Sequence, residues 1–156
     1  MSTVSNIPYD ALEVGQKAST HRIIEERDIL LFASLSGDRN PVHLDAEYAA
    51  RTIFKERIAH GMLTGTLISA AIACELPGPG SIYLAQKLEF TRPVKIGDTL
   101  TIELEILEKL PKFRVRIATR VFNQKGEQVV DGEAEVLAPR KKQEVDLPDL
   151  LPVRIG

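Results

Sequence analysis

Hydrophobic positions follow a helical spacing in the first half of this chain and a strand-like alternation in the second. Over residues 23–36, Ile23, Ile24, Ile29, Leu30, Leu31, Phe32 and Leu35 are interleaved with Glu25, Glu26, Arg27 and Asp28. The spacing predicts a short amphipathic helix from about Glu25, closed near Gly37. The next stretch, Ser36 to His43, is dense in turn formers. Pro41 lacks an N–H and pushes Asn40 toward an extended conformation, so a rigid loop is predicted there. Residues 45–51 predict a second short helix with Asp45 as its N-cap. Residues 61–75 are apolar or small on every side, which predicts a helix with no solvent face, buried at the centre of the domain. Gly65, Ser69, Ala70, Ala71 and Ala73 keep that helix thin, and Pro77, Gly78, Pro79 and Gly80 end it.

From Ser81 onward the pattern predicts strands over residues 81–91, 99–108, 113–123 and 128–138. Val, Ile, Leu, Phe and Thr dominate these runs, and alternation is clean from Phe113 to Phe122. Turn formers separate them at 95–98, 110–112 and 123–126, so four consecutive strands with short links predict an antiparallel meander. A further strand is expected around residues 16–24. The result is an α+β domain with a curved antiparallel sheet wrapped around the 61–75 helix, which is the hot-dog arrangement. One domain over residues 1–156 is expected, with its core at about 10–138 and residues 139–156, which carry Pro139, Pro148 and Pro152, as a surface tail.

Composition narrows the partners. A net charge of -2 gives no strong drive toward nucleic acid or anionic membrane, and no basic stripe is interleaved with aromatics. No stretch of about 18 apolar residues could span a bilayer. The first residues lack the basic and apolar regions of a signal peptide, so a cytoplasmic location is expected. The single cysteine, Cys74, lies in an apolar run and is expected to be a small core residue. His21, His43, His60 and Cys74 give none of the usual metal-ligand spacings, and no metal site is expected. Neither a phosphate-binding P-loop nor a Gly-x-Ser-x-Gly elbow is present.

The chemistry points to Asp38 and His43. Five residues apart, they could not share one helical face, but on a proline-stiffened loop both can turn into one pocket. A general acid and a general base held near one water is what a hydration reaction needs. The plain alternative is a turn-capping Asp38 and a satisfied loop histidine at His43.

The longer pattern Ser36-Gly37-Asp38-x-Asn40-Pro41-Val42-His43-x-Asp45 resembles the hydratase-2 motif of the MaoC-like dehydratase family, within the hot-dog superfamily. Two more stretches match in order, Ile58-Ala59-His60-Gly61-Met62 and Phe90-Thr91-Arg92-Pro93-Val94-Lys95-Ile96-Gly97-Asp98. The resemblance spans roughly residues 10–138 and is close to the PhaJ group of (R)-specific enoyl-CoA hydratases. It implies hydration of short- to medium-chain trans-2-enoyl-CoA, supplying (R)-3-hydroxyacyl-CoA for polyhydroxyalkanoate synthesis. By that resemblance Asp38 takes a proton from water as oxygen adds to C3, and His43 delivers one to C2. Asn40 is implied to hold the loop and Ser69 to orient Asp38, beside the alternative that Ser69 is a small helix residue packing against the sheet. Gly61 is implied to present a free helix N–H to the thioester oxygen, beside the alternative that it only permits tight packing. His60 is read as a structural residue of its turn. Ile72 and Val136 align with positions bounding the acyl pocket, although both would also make ordinary core. Arg92 and Lys95 are the candidates for the coenzyme A phosphates. No cofactor is implied, coenzyme A being part of the substrate, and a homodimer is expected.

Three other readings share these residues. A hot-dog acyl-CoA thioesterase would use the same pocket but needs no acid at His43. An (R)-3-hydroxyacyl-ACP dehydratase differs only in its carrier. A non-catalytic acyl-CoA-binding module leaves the acid–base loop unexplained.

Overall fold

Alternation decides the core of the sheet. In β4 (Thr99–Lys109), Leu100, Ile102, Leu104 and Ile106 are buried while the residues between them stay partly exposed. In β5 (Arg114–Phe122), Val115, Ile117 and Val121 point the same way. Burying each such side chain contributes about 1.5–3 kcal/mol. With β2 (Lys17–Ile23), β3 (Ile82–Phe90) and β6 (Gln128–Leu137) they form a five-stranded sheet in the order β2-β4-β5-β6-β3, every pair antiparallel. The computed structural model describes residues 2–156.

The strand order corrects the expected meander. β3 does not pair with β4; it crosses over to lie beside β6, with Phe90 opposite Val130. Residues 91–98 cannot make a hairpin turn because their backbone groups are engaged elsewhere. The Thr91 N–H donates to Val129 O, Val94 O accepts from the Ala59 N–H at 2.7 Å, and Lys95 bridges Ile58. Pro93 adds no donor. Buried Asp98 closes the segment, accepting the Lys95 N–H at 2.9 Å and a Gln124 amide proton at 2.9 Å.

Helices α1 (Glu26–Ser36), α2 (Pro41–Leu44), α3 (Ala46–Ala50) and α4 (Gly61–Cys74) lie between β2 and β3. A reciprocal capping box starts α1, with Asp28 also bound to the Arg22 guanidinium at 2.7 Å. Gly37 ends it at φ 78°, a left-handed conformation that favours glycine. α4 packs Leu63, Ile68, Ala71 and Ile72 into one cluster with Leu100, Ile102, Ile117 and Val136. The expectation of a helix without a solvent face is corrected here. Met62, Thr66, Ser69, Ala70 and Ala73 are exposed, because one sheet covers only one side of a helix and small residues leave the other side open.

The terminal segments are also more ordered than a surface tail. β1 (Ser2–Ser5) pairs with β7 (Glu144–Leu147) in a second, two-stranded antiparallel sheet. Buried Asn6 ties the two ends together: its side-chain amide donates to Pro79 O and Lys141 O, and its carbonyl accepts the Gln143 N–H. No helix among the described residues is long and apolar enough to cross a membrane.

Candidate active site

Alternate side chains build the loop by taking the backbone N–H two residues ahead. Ser36 Oγ accepts from the Asp38 N–H at 3.1 Å, Asp38 Oδ1 from the Asn40 N–H at 3.1 Å, and Asn40 Oδ1 from the Val42 N–H at 3.2 Å. Asn40 is therefore the N-cap of α2, with Pro41 at its first position, where the missing N–H costs nothing. The segment expected as loop thus becomes a helical turn at Pro41, because proline's fixed φ suits a helix start. Asp45 caps α3 as expected, accepting from the Glu47 and Tyr48 N–H groups.

That turn carries His43 inward, to 8% exposure. Its Nδ1 donates to Ile58 O at 2.8 Å, since a carbonyl can only accept. Arg57 holds the His43 carbonyl at 2.7 Å through Nε and grips Glu26 with Nη1 at 2.9 Å. His43 Nε2 then faces Asp38 Oδ2 at 3.9 Å. This is too long for a direct hydrogen bond and suits a bridging water. A water between them can donate to the carboxylate oxygen, and it donates to or accepts from Nε2 according to whether that nitrogen carries a proton.

His60 completes the cluster. It is 2% exposed, its Nε2 lies 3.2 Å from the Asp38 carbonyl oxygen, and its ring stacks on His43 with centroids 3.9 Å apart. Phe32 covers its surroundings at 4.7 Å. Nδ1 of His60 is buried with no partner among the described residues, and an atom left so costs about 1–3 kcal/mol. Burial holds the His60 imidazole below the ordinary histidine pKa, and the neighbouring His43 pushes it the same way.

Asp38, His43 and His60 bring three donor atoms within 4.8 Å of one another. A metal would need them to converge at about 2.0–2.1 Å. The stacked rings, tilted by only 27°, set their in-plane lone pairs nearly side by side. Two of the four ring nitrogens are already engaged. This geometry suits a water better than a metal ion.

Gly61 opens α4 directly after His60, and no side chain among the described residues caps the helix. The Leu63 N–H donates to His60 O at 3.0 Å, which leaves the Gly61 N–H at the helix start for a ligand to take. A Cβ at Gly61 would lie 2.9 Å from Phe90 Cε1, so glycine also permits close packing there. Asp38, His43, His60 and Gly61 all border one cavity of about 740 Å³. Phe32, Phe54, Ile58, Val94, Val129 and Val130 supply its apolar wall.

Other sequence candidates fall elsewhere. Ser69 is on the exposed face of α4 and does not line the cavity, because eight residues of helix carry it away from Asp38. Ile72 and Val136 are fully buried in the core and do not line it either. Arg92 borders the cavity but pairs with Glu127 at 2.9 Å, while Lys95 pairs with Glu56 at 3.6 Å. Cys74 is half-buried and not core, since it sits where α4 turns toward its open side. His21 is exposed on β2 beside Thr101. Sequence reasoning missed Phe32, Phe54, Val94, Val129 and Val130. Phe32 had a signal, its i, i+4 relation to Ser36 placing both on the helix face leading into the motif.

Comparison with known proteins fits this geometry. Residues 10–128 match the family model described as MaoC like domain. The unliganded R-hydratase PhaJ1 from Pseudomonas aeruginosa superposes with a TM-score of 0.96 at 70% identity, covering 99% of this chain and 100% of that one. The (R)-hydratase from A. caviae involved in PHA biosynthesis has a TM-score of 0.80 at 44% identity, covering 83% of this chain and 98% of that one. An (R)-specific enoyl-CoA hydratase of Rhodospirillum rubrum is 43% identical over 133 residues, 85% of this chain and 92% of that protein. With its motif, its fold and these relatives in agreement, the chain belongs to the MaoC-like dehydratase family.

Proposed function

We propose that this protein is a hydro-lyase that adds water to trans-2-enoyl-CoA, giving (R)-3-hydroxyacyl-CoA. The observation that carries the reading is the 3.9 Å gap between Asp38 Oδ2 and His43 Nε2 on the wall of an apolar cavity. A water in that gap donates one proton to the Asp38 carboxylate and accepts from the Nε2–H of His43. Its oxygen adds to C3 of the enoyl thioester as its proton passes to the Asp38 carboxylate. His43, charged at Nε2 for this step, protonates C2 from the same side. Proton transfer from the Asp38 carboxyl to His43 through the next water restores the starting state. Atoms balance as one water added to one double bond.

Negative charge gathers on the thioester oxygen while C3 is attacked, and the Gly61 N–H at the start of α4 is the donor for it. Asn40 supports the pair by capping α2, the turn that bears His43. The acyl chain lies along Phe32, Phe54, Val94, Val129 and Val130. Coenzyme A belongs to the substrate and no separate cofactor enters. The A. caviae relative's role in PHA biosynthesis supports the same use of the product here.

A homodimer is part of this reading. β3 has one unpaired edge and exposes Ile82, Tyr83 and Leu84, and α4 leaves Met62 exposed beside it in sequence order. Light scattering on the purified protein tests it, a monomeric mass counting against a dimer. The activity is tested with crotonyl-CoA by following loss of ultraviolet absorbance and determining product chirality. An (R)-3-hydroxybutyryl product is expected; thiol release without hydration would point instead to the thioesterase.

A further inference from the structure

A buried histidine with an unsatisfied nitrogen is expensive, and apolar residues of similar shape would fill its place without that cost. His60 is such a residue, and its surroundings say what it does. Its backbone is the N-cap of α4, immediately before Gly61. Its Nε2 bonds to the Asp38 carbonyl at 3.2 Å, and its ring lies against His43 at 3.9 Å. One residue therefore touches, with its side chain, the residues bearing the carboxylate and the imidazole, and with its backbone begins the helix facing the thioester.

The geometry points to His60 as a positioning residue for the hydration reaction, its stacked ring and its single Nε2–H bond together holding Asp38 and His43 one water apart. This inference rests on the hydratase reading for its effect on turnover, although the placement itself does not. Nε2 must be the protonated nitrogen, because it faces a carbonyl, which leaves Nδ1 bare and without a donor. A charged His60 would place a second cation against His43 and a Nδ1 proton with no acceptor. The ionisable groups that face it are Asp38 and His43, with Arg57 and Glu26 tied to the far side of His43. The Nε2 bond of His60 goes to the Asp38 backbone carbonyl and not to the carboxylate or to a nitrogen of His43, so it acts through the pair and not on the substrate.

Two variants and one spectrum test this. His60→Phe keeps the stack and removes the Nε2–H donor; His60→Gln keeps a donor at that reach and removes the ring. With crotonyl-CoA, His60→Phe is expected to lower kcat by about 10- to 100-fold, the scale of a misplaced acid–base pair. KM should stay within about threefold, because phenylalanine keeps an aromatic ring of similar size at this position of the cavity wall. His60→Gln should recover part of the loss. A His60→Phe enzyme with kcat within about twofold of the parent overturns the inference. A rise in KM alone also overturns it.

If neither parent nor variants hydrate crotonyl-CoA, the hydratase reading fails, and the placement is still decided by nitrogen NMR of the free protein. The expected spectrum shows His60 with a slowly exchanging Nε2 proton and a bare Nδ1 at pH 6. Amide exchange at Asn40 should quicken in His60→Phe. A His60 ring carrying both protons at that pH, or unchanged exchange at Asn40, overturns the placement. Should His60→Phe fail to fold, the parent spectrum and the turnover of His60→Gln carry the test.

Discussion

The Asn40 N–H donates to Asp38 Oδ1 at 3.1 Å, and so divides the carboxylate into one tethered oxygen and one that faces His43. The turn that carries the imidazole also aims the carboxylate. Neither group can swing away without breaking the backbone pattern from Ser36 to Val42.

Removing either reacting group should have nearly the full effect. Asp38→Asn and His43→Gln are each expected to lower kcat for crotonyl-CoA hydration by about 10²-fold or more. The double variant should be only slightly worse, because the two act on one water. Steady-state kinetics check this, and multiplicative losses would show that they act independently.

Asn40→Ala should affect both stability and rate. Loss of the α2 N-cap costs about 0.5–2 kcal/mol, visible as a lower urea midpoint. Turnover should fall further than that loss implies, since His43 rides on the capped turn. An unchanged rate in a destabilised protein would separate the cap from the chemistry.

Gly61→Ala separates packing from chemistry. The new Cβ meets Phe90 Cε1 at 2.9 Å, so the single variant should be less stable. Pairing it with Phe90→Leu should restore the thermal midpoint. If the helix start serves the thioester oxygen, turnover stays low in the stable double variant. Full recovery of turnover would reduce Gly61 to a packing residue.

Acid should weaken the fold through His60. Its folded-state pKa lies below the ordinary 6.5, so the unfolded chain takes up the proton first as pH drops. The contribution is fully present above about 6.5 and is lost as pH falls through the folded value. Urea midpoints at pH 7.5 and 5.5 should therefore differ more for the parent than for His60→Phe. Equal differences would mean that His60 charges freely in the folded protein.

Local signals made much of this legible. The apolar stripe before Gly37, the alternation from Phe113 to Phe122 and the Asp38 to His43 spacing each fixed an element or a pair through interactions close in sequence. What escaped was set by distant contacts. No nearby residue records that β3 pairs with β6, that β1 meets β7, or that Val129 and Val130 line the same cavity as Phe32. His60 was read as structural because its sequence neighbours say nothing of a ring stacked on His43. Ser69, Ile72 and Val136 do not border the cavity of this chain, since a motif match gives a position along the chain but not which way a side chain looks.

The crossover of β3 to β6 sets an order of events at the ribosome. Phe90 gains its partner Val130 only when much later sequence has emerged, and Val129 and Val130 are themselves part of the cavity wall. A nascent chain that has made Asp38, His43, His60 and Gly61 still lacks a closed chamber for an acyl group. Turnover can therefore begin only after β6 has been made, and truncation before β6 should yield an inert fragment however intact its acid–base turn.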